Sequence, residues 1–213
     1  MNAPRNTAVS PSALMLSLFL LVPAFCLAGC GSLLNSGPAP TRLLLKPALP
    51  PPTSGRPVNK QLVVAAPTSG NIPSGDGISV VFRDREIRML AAARWTAEAP
   101  LLIQRSLVDA LEATGGLRGV GDDTEGLQAD VRLLTDIREF GLRWGEDDDT
   151  PPVGVFAAVF RLLDLGNGHI YSSLHVEATA QASGKNNGDL AAACETALSK
   201  GLAQCAAWVL ARI

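Results

Sequence analysis

Residues 153–165 are apolar on both alternating sets of side chains, with Val155, Ala157 and Val159 on one and Phe156, Ala158 and Phe160 on the other. A strand with two apolar faces belongs in the middle of a sheet, where something covers each face. Gly166-Asn167-Gly168 follows as a tight-turn signal, and residues 169–180 return as the partner strand, with Ile170, Leu174 and Val176 on one face. Upstream, Leu127, Ala129, Val131, Leu133, Thr135 and Ile137 alternate with Gln128, Asp130, Arg132, Leu134, Asp136 and Arg138, the pattern of a half-buried strand with one wet face. The polar stretch 144–152 separates the two strands as a loop. Three long strands therefore form a meander that needs a cover.

The cover comes from two helical segments. Ile103, Leu107, Ala110, Leu111 and Thr114 recur at helical spacing, with Thr96 as a possible cap, Pro100 in the first turn and Gly115-Gly116 as the stop. From about Asn187, a second stripe holds Leu190, Cys194, Ala197, Leu198, Gly201, Leu202, Cys205, Trp208 and Val209. Shorter strands precede them: residues 61–66, ended by Pro67, and a hairpin of 78–82 and 86–89 around Arg83-Asp84-Arg85. Strands joined by short turns pair antiparallel, and amphipathic helices need a sheet face. The expected fold is α+β, a mainly antiparallel sheet with two amphipathic helices packed on it.

The amino terminus reads as an address. Residues 13–28 are almost wholly apolar after the single charge Arg5, but the run is interrupted by Pro23 and falls short of the roughly 20 residues a spanning helix needs. It reads as a secretory signal, and Leu27-Ala28-Gly29-Cys30 at its end matches the bacterial lipobox. The alternative is that Cys30 simply follows a general secretory cleavage site. The expected organisation is a lipoprotein signal peptide over 1–29, then a lipidated Cys30 with a proline-rich tether over 30–60 containing a possible edge strand at 41–46. The folded domain occupies 61–213.

Eighteen Lys and Arg stand against 20 Asp and Glu, a formal charge of −2, so no global positive field exists to hold a nucleic-acid backbone. Gly-x-Ser-x-Gly, the Walker lysine loop and His-Glu-x-x-His are missing, so no nucleophile and base can be named. Gly116-Leu-Arg-Gly-Val-Gly121 follows a helix, whereas a dinucleotide fingerprint follows a strand and opens a helix. His169, His175 and Glu177 share a strand face without a compact third ligand, and 146–149 lacks the spaced ligands of a calcium loop. Cys194 and Cys205 lie about 16 Å apart along one helix, too far to bridge, and read as small buried hydrophobes. No catalytic residue, cofactor or metal is expected, and the chain reads as a non-enzyme. Arg94 and Trp95 are the candidate partner-interface residues, since Arg and Trp are the side chains most often found as interface anchors. The same pair also serves a structural reading in which Trp95 packs beneath the helix start and Arg94 pairs with Glu98.

Four pieces together resemble a known family: the lipobox cysteine, Thr41-Arg-Leu-Leu-Leu45, the hairpin Ile78-Ser-Val-Val-Phe-Arg-Asp-Arg-Glu-Ile-Arg88, and Ala93-Arg-Trp-Thr-Ala-Glu-Ala-Pro-Leu-Leu102. The chain resembles the ABC-type transport auxiliary lipoprotein component family. The resemblance implies a non-catalytic lipoprotein working with an ABC permease and ATPase and with a periplasmic substrate-binding protein of the mammalian-cell-entry (MCE) type. The implied cargo is phospholipid or another hydrophobic molecule moved between inner and outer membranes. Similarity to lipobox sequences implies diacylglycerol on the Cys30 thiol and a third acyl chain, such as palmitate, on its amino group. Gly31, where a retained lipoprotein carries Asp, favours the periplasmic face of the outer membrane. A structural envelope lipoprotein binding peptidoglycan or another envelope protein is the alternative.

Overall fold

A computed structural model describes residues 39–70, 75–82, 86–145, 147 and 149–213. The expected signal peptide, Cys30, the start of the tether, the turn Arg83-Asp84-Arg85, and Glu146 and Asp148 of the acidic run lie outside the described residues. The elements are β1 (Thr41–Leu43), β2 (Val58–Val64), β3 (Gly77–Val81), β4 (Ile87–Trp95), α1 (Ala99–Ala113), β5 (Leu117–Asp122), β6 (Val131–Arg143), β7 (Val153–Asp164), β8 (Ile170–Gln181) and α2 (Asn187–Leu210). All eight strands join one sheet in the order β1-β4-β3-β6-β2-β5, and β6 also carries β7, which in turn carries β8.

The α+β class and the two sheet-covering helices hold. The expectation of a mainly antiparallel sheet does not: of seven strand pairings among the described residues, four are parallel. The β3–β4, β6–β7 and β7–β8 pairs are antiparallel, as short connections require. The remaining strands reach their neighbours across long connections. β6 spans 13 residues, so one edge has room for two shorter strands: β2 runs parallel to it at Val131–Leu133 and β3 at Leu142 and Arg143.

Other boundaries shift for local reasons. β4 continues through Trp95 because β1 pairs with Ala93, Arg94 and Trp95. Helix α1 takes Glu98, not Thr96, at its N-cap, and Pro100 falls in its first turn, where a missing N–H costs nothing. The glycine cluster after α1 is β5, parallel to β2.

The core is one continuous cluster containing side chains of both helices and the sheet. Aromatic rings run through it in file: Trp95 on Phe140 at 6.0 Å, Phe140 edge-on to Phe156 at 6.2 Å, and Phe156 tilted to Phe160 at 6.4 Å. Such pairs add about 0.5–1.5 kcal/mol each beyond their burial. Two glycines let α2 press close to the sheet. A Cβ on Gly154 would meet the backbone of Ala193 and Cys194, and one on Gly201 would meet the Phe156 ring. The core falls within the compact unit Pro40–Ile213.

The proline-rich stretch after β1 lies against that core. Its prolines cannot donate to a ladder, and three of its amides find partners on or beside the helices. Lys46 N–H donates to Glu195 Oε1 at 2.8 Å, Ala48 N–H to Ser199 Oγ at 2.8 Å, and Thr53 N–H to Thr114 O at 2.8 Å. Leu45 is buried beneath it. From Pro40 onward, the segment expected as tether is thus held on the domain.

Candidate functional site

Arg94 and Trp95 close β4, where three segments converge: β1 arriving from the stem side, the loop before β3, and the start of α1. Trp95 is 1% exposed and stacks on Phe140, so its ring serves the core and presents no surface. Its backbone joins the seam, with Trp95 N–H donating to Asp76 O at 2.7 Å and Thr96 N–H to Leu43 O at 3.1 Å. Arg94 points outward, its side chain 44% exposed, and pairs with Asp76 at 3.1 Å rather than with Glu98. Arg42 of β1 pairs with the other Asp76 oxygen at 3.0 Å and also donates to Trp95 O at 3.3 Å.

Asp76 is thus clasped by two guanidinium groups. Partial desolvation pushes its carboxyl up, but the hydrogen bonds and charges of Arg94 and Arg42 outweigh this and hold it below the ordinary aspartate value. The arrangement fixes β1 to the body of the sheet and leaves the Arg94 side chain partly exposed.

The remaining candidates scatter. Cys194 and Cys205 are free and buried in the α2 core stripe; burial pushes the Cys194 thiol up to about 12 and that of Cys205 higher still. Cys194 donates to Gly141 O at 3.3 Å. His175 and Glu177 are exposed on β8 beside Arg138, Ala157 and Val159, lining an open depression of about 360 Å³, while His169 sits in the hairpin turn. A second open depression of about 570 Å³ is lined by Arg56, Pro57, Asn59, Leu117 and Arg118. Among the described residues no group of three or more His, Cys, Asp or Glu could hold a metal, and no helix is long and apolar enough to cross a membrane.

Sequence reasoning missed Asp76 and Gln104. Gln104 is buried on α1 and donates to Val64 O and to Asp123 Oδ1, both at 3.0 Å, tying the helix to the ends of β2 and β5. A polar residue on the apolar face of a predicted helix was the available signal, since a buried amide must find partners.

The fold and this seam define a small α+β module whose stem-side strand is stitched into the sheet edge. A family model described as ABC-type transport auxiliary lipoprotein component matches residues 43–206, and the chain belongs to that family. It is therefore a cell-envelope lipoprotein component associated with ABC-type transport. The fold is similar to the crystal structure of protein XCC0632 from Xanthomonas campestris, at 23% identity over 80% of this chain and 95% of that one, with a TM-score of 0.72. A second crystal structure, of an uncharacterized protein, is similar at 15% identity over 82% of this chain and 98% of that one, with a TM-score of 0.58. Among curated proteins, none matches the chain.

Proposed function

We propose that the protein is a non-catalytic docking component of an ABC transporter of the MCE type, which moves phospholipid or another hydrophobic cargo between the inner and outer membranes. The observation that carries the reading is family membership over residues 43–206 in a chain whose residues 27–30 form a lipobox. In this reading, three acyl chains on Cys30 hold it at the periplasmic face of the outer membrane. One chain binds marginally, whereas each buried CH₂ adds about 0.8 kcal/mol, so several chains anchor stably.

The seam supports a mechanical role. Ten residues lie between Cys30 and Thr41, and an extended stretch of that length, at about 3.1 Å per residue, allows a reach of up to roughly 30 Å from the bilayer. Tethering raises the effective concentration for an envelope-spanning partner, so a modest contact suffices. Arg94, exposed beside the stem-proximal strand, is the candidate contact. Trp95 contributes by holding the β4 backbone in place.

The test joins labelling to capture. Cells expressing the wild type should incorporate labelled palmitate and those expressing Cys30→Ala should not; crosslinking in membranes should recover an MCE-type protein, with recovery weakened by Arg94→Glu. Unlabelled wild-type protein would remove the anchor, and recovery with peptidoglycan alone would favour a structural envelope lipoprotein.

A further inference from the structure

The turn that leads into β2 carries Arg56 to the start of β5. Thr53 N–H donates to Thr114 O at 2.8 Å and Val58 N–H to Gly116 O at 2.9 Å, so the residues between are tied at both ends to the turn that follows α1. Inside those ties Gly55 has φ 144°, a conformation that other residues rarely adopt, and Pro57 restricts Arg56 to extended backbone. Arg56 is thus set in place by its chain neighbours while remaining exposed.

A β-bulge shapes the opposite wall. Between the register pairs Val58–Leu117 and Gln61–Gly119, β2 has two residues, Asn59 and Lys60, where β5 has one, Arg118. A bulge re-aims side chains, and these two diverge. Lys60 lies 3.7 Å from Asp130, whereas Asn59 Oδ1 accepts from Arg118 Nη1 at 3.2 Å. That bond orients the Arg118 guanidinium and leaves Asn59 Nδ2 as a donor.

Arg56, Pro57, Asn59, Leu117 and Arg118 line the open depression of about 570 Å³, and no carboxylate is among them. The Arg118 charge reaches Asp130, but that carboxylate is held by the Gln61 N–H at 2.8 Å and by Lys60. Among the described residues Arg56 has no ion-pair partner. The depression on β8 differs, because Glu177 lines it beside Arg138 and His175.

We infer that the depression between β2 and β5 binds a phosphate group, free or in a phospholipid headgroup. Each guanidinium is a planar fork of N–H donors that matches phosphate oxygens in pairs. Two forks arriving from separate segments suit a group with several oxygens better than a carboxylate, which one fork satisfies. The volume falls within the roughly 300–1,000 Å³ of small-molecule sites, so a headgroup fits, with Pro57 and Leu117 as an apolar wall for its glycerol. This site and the docking role fail separately: crosslinking in membranes tests docking, and titration of the lipid-free domain tests the site.

The unit 40–213, which holds the whole core, is titrated at fixed ionic strength with inorganic phosphate and with dihexanoyl phosphatidylglycerol below its micelle concentration, followed by amide NMR shifts. Saturable shifts should centre on Arg56, Asn59 and Arg118, and acetate should give weaker ones. Arg56→Ala and Arg118→Ala, both at exposed residues, should each lower the affinity about tenfold. Asn59→Asp supplies Arg118 with an internal carboxylate; it should lower the affinity at least as far while the melting temperature holds or rises, which a loss of structure would not do. Tighter binding of the lipid identifies the headgroup as the ligand, and inorganic phosphate bound as tightly or more so identifies the free ion. No saturable shift with either probe overturns the inference, as do equal shifts with acetate or affinities that none of the substitutions moves.

Discussion

Asp76 joins two arginines that arrive from different strands, and its ionisation makes the join. Because its folded pKa is depressed, its contribution is complete above the unfolded value of about 3.9 and is lost as pH falls through the lower folded value. Asp122, held down chiefly by its hydrogen bonds from Thr124, and Asp130, held down by the Gln61 N–H, act in the same direction. Asp76→Asn should therefore lower the melting temperature at pH 7 and lower it by less near pH 2, where more of the wild-type carboxyl is protonated. Thermal melts at the two pH values check this, and an equal gap at both would show that charge is not the stabilising feature. The two core thiols make a second residue-scale case. With Cys194 buried and raised to about 12, and Cys205 buried and raised further, neither forms thiolate near neutrality. The unit 40–213 should show no reaction with a thiol-disulfide reagent at pH 8 until denaturant is added, when both should react; a rapid native-state reaction would place one of them at the surface.

At the scale of elements, the contact between α2 and the sheet rests on missing side chains. Alanine in a strand interior ordinarily gains about 0.5–1 kcal/mol over glycine. At Gly154 the new methyl group would meet helix backbone, which cannot rotate aside, and overpacking of this kind costs about 1–3 kcal/mol or more. Gly154→Ala should therefore destabilise, whereas Gly70→Ala, with nothing within 4 Å of the new Cβ, should fall within about 0.5 kcal/mol of wild type. Chemical denaturation of the two variants separates these outcomes. The contrast also shows where sequence reading succeeds. β7, β8 and α2 are legible because burial imposes an unbroken period on 12 or more residues at a time. β5 is not: Gly119 and Gly121 leave gaps in its period, and its partner β2 lies more than 50 residues away. The seam is hidden for the same reason, since Asp76 stands 18 residues from Arg94 and 34 from Arg42. Trp95 reads as an anchor or as core with equal ease until the course of β4 is known.

At the scale of the whole molecule, the four parallel pairings make the short strands ahead of the long meander structural. The alternation of apolar and polar residues that places the start of the domain near residue 61 cannot register a segment that contributes capped amides, one buried leucine and a three-residue strand. Those contributions can be added. Burying Leu45 brings about 1.5–3 kcal/mol, and the hydrogen bonds made by Lys46, Ala48 and Thr53 bring about 0.5–1.5 kcal/mol each before the entropy of ordering the segment is subtracted. Removing the segment also exposes the β4 edge that β1 covers at Ala93–Trp95 and deprives Asp76 of Arg42. A chain starting at residue 58 keeps every other strand, so it should still fold, but with a stability about 2–4 kcal/mol below that of a chain starting at residue 40. For a domain of this size, that is a melting temperature lower by roughly 5–15 °C. Hydrogen exchange should localise the loss to β4 and the exposed flank of α2. If the shorter chain melts at the same temperature, the proline-rich segment is only resting on the surface, and the stem transmits nothing to the sheet.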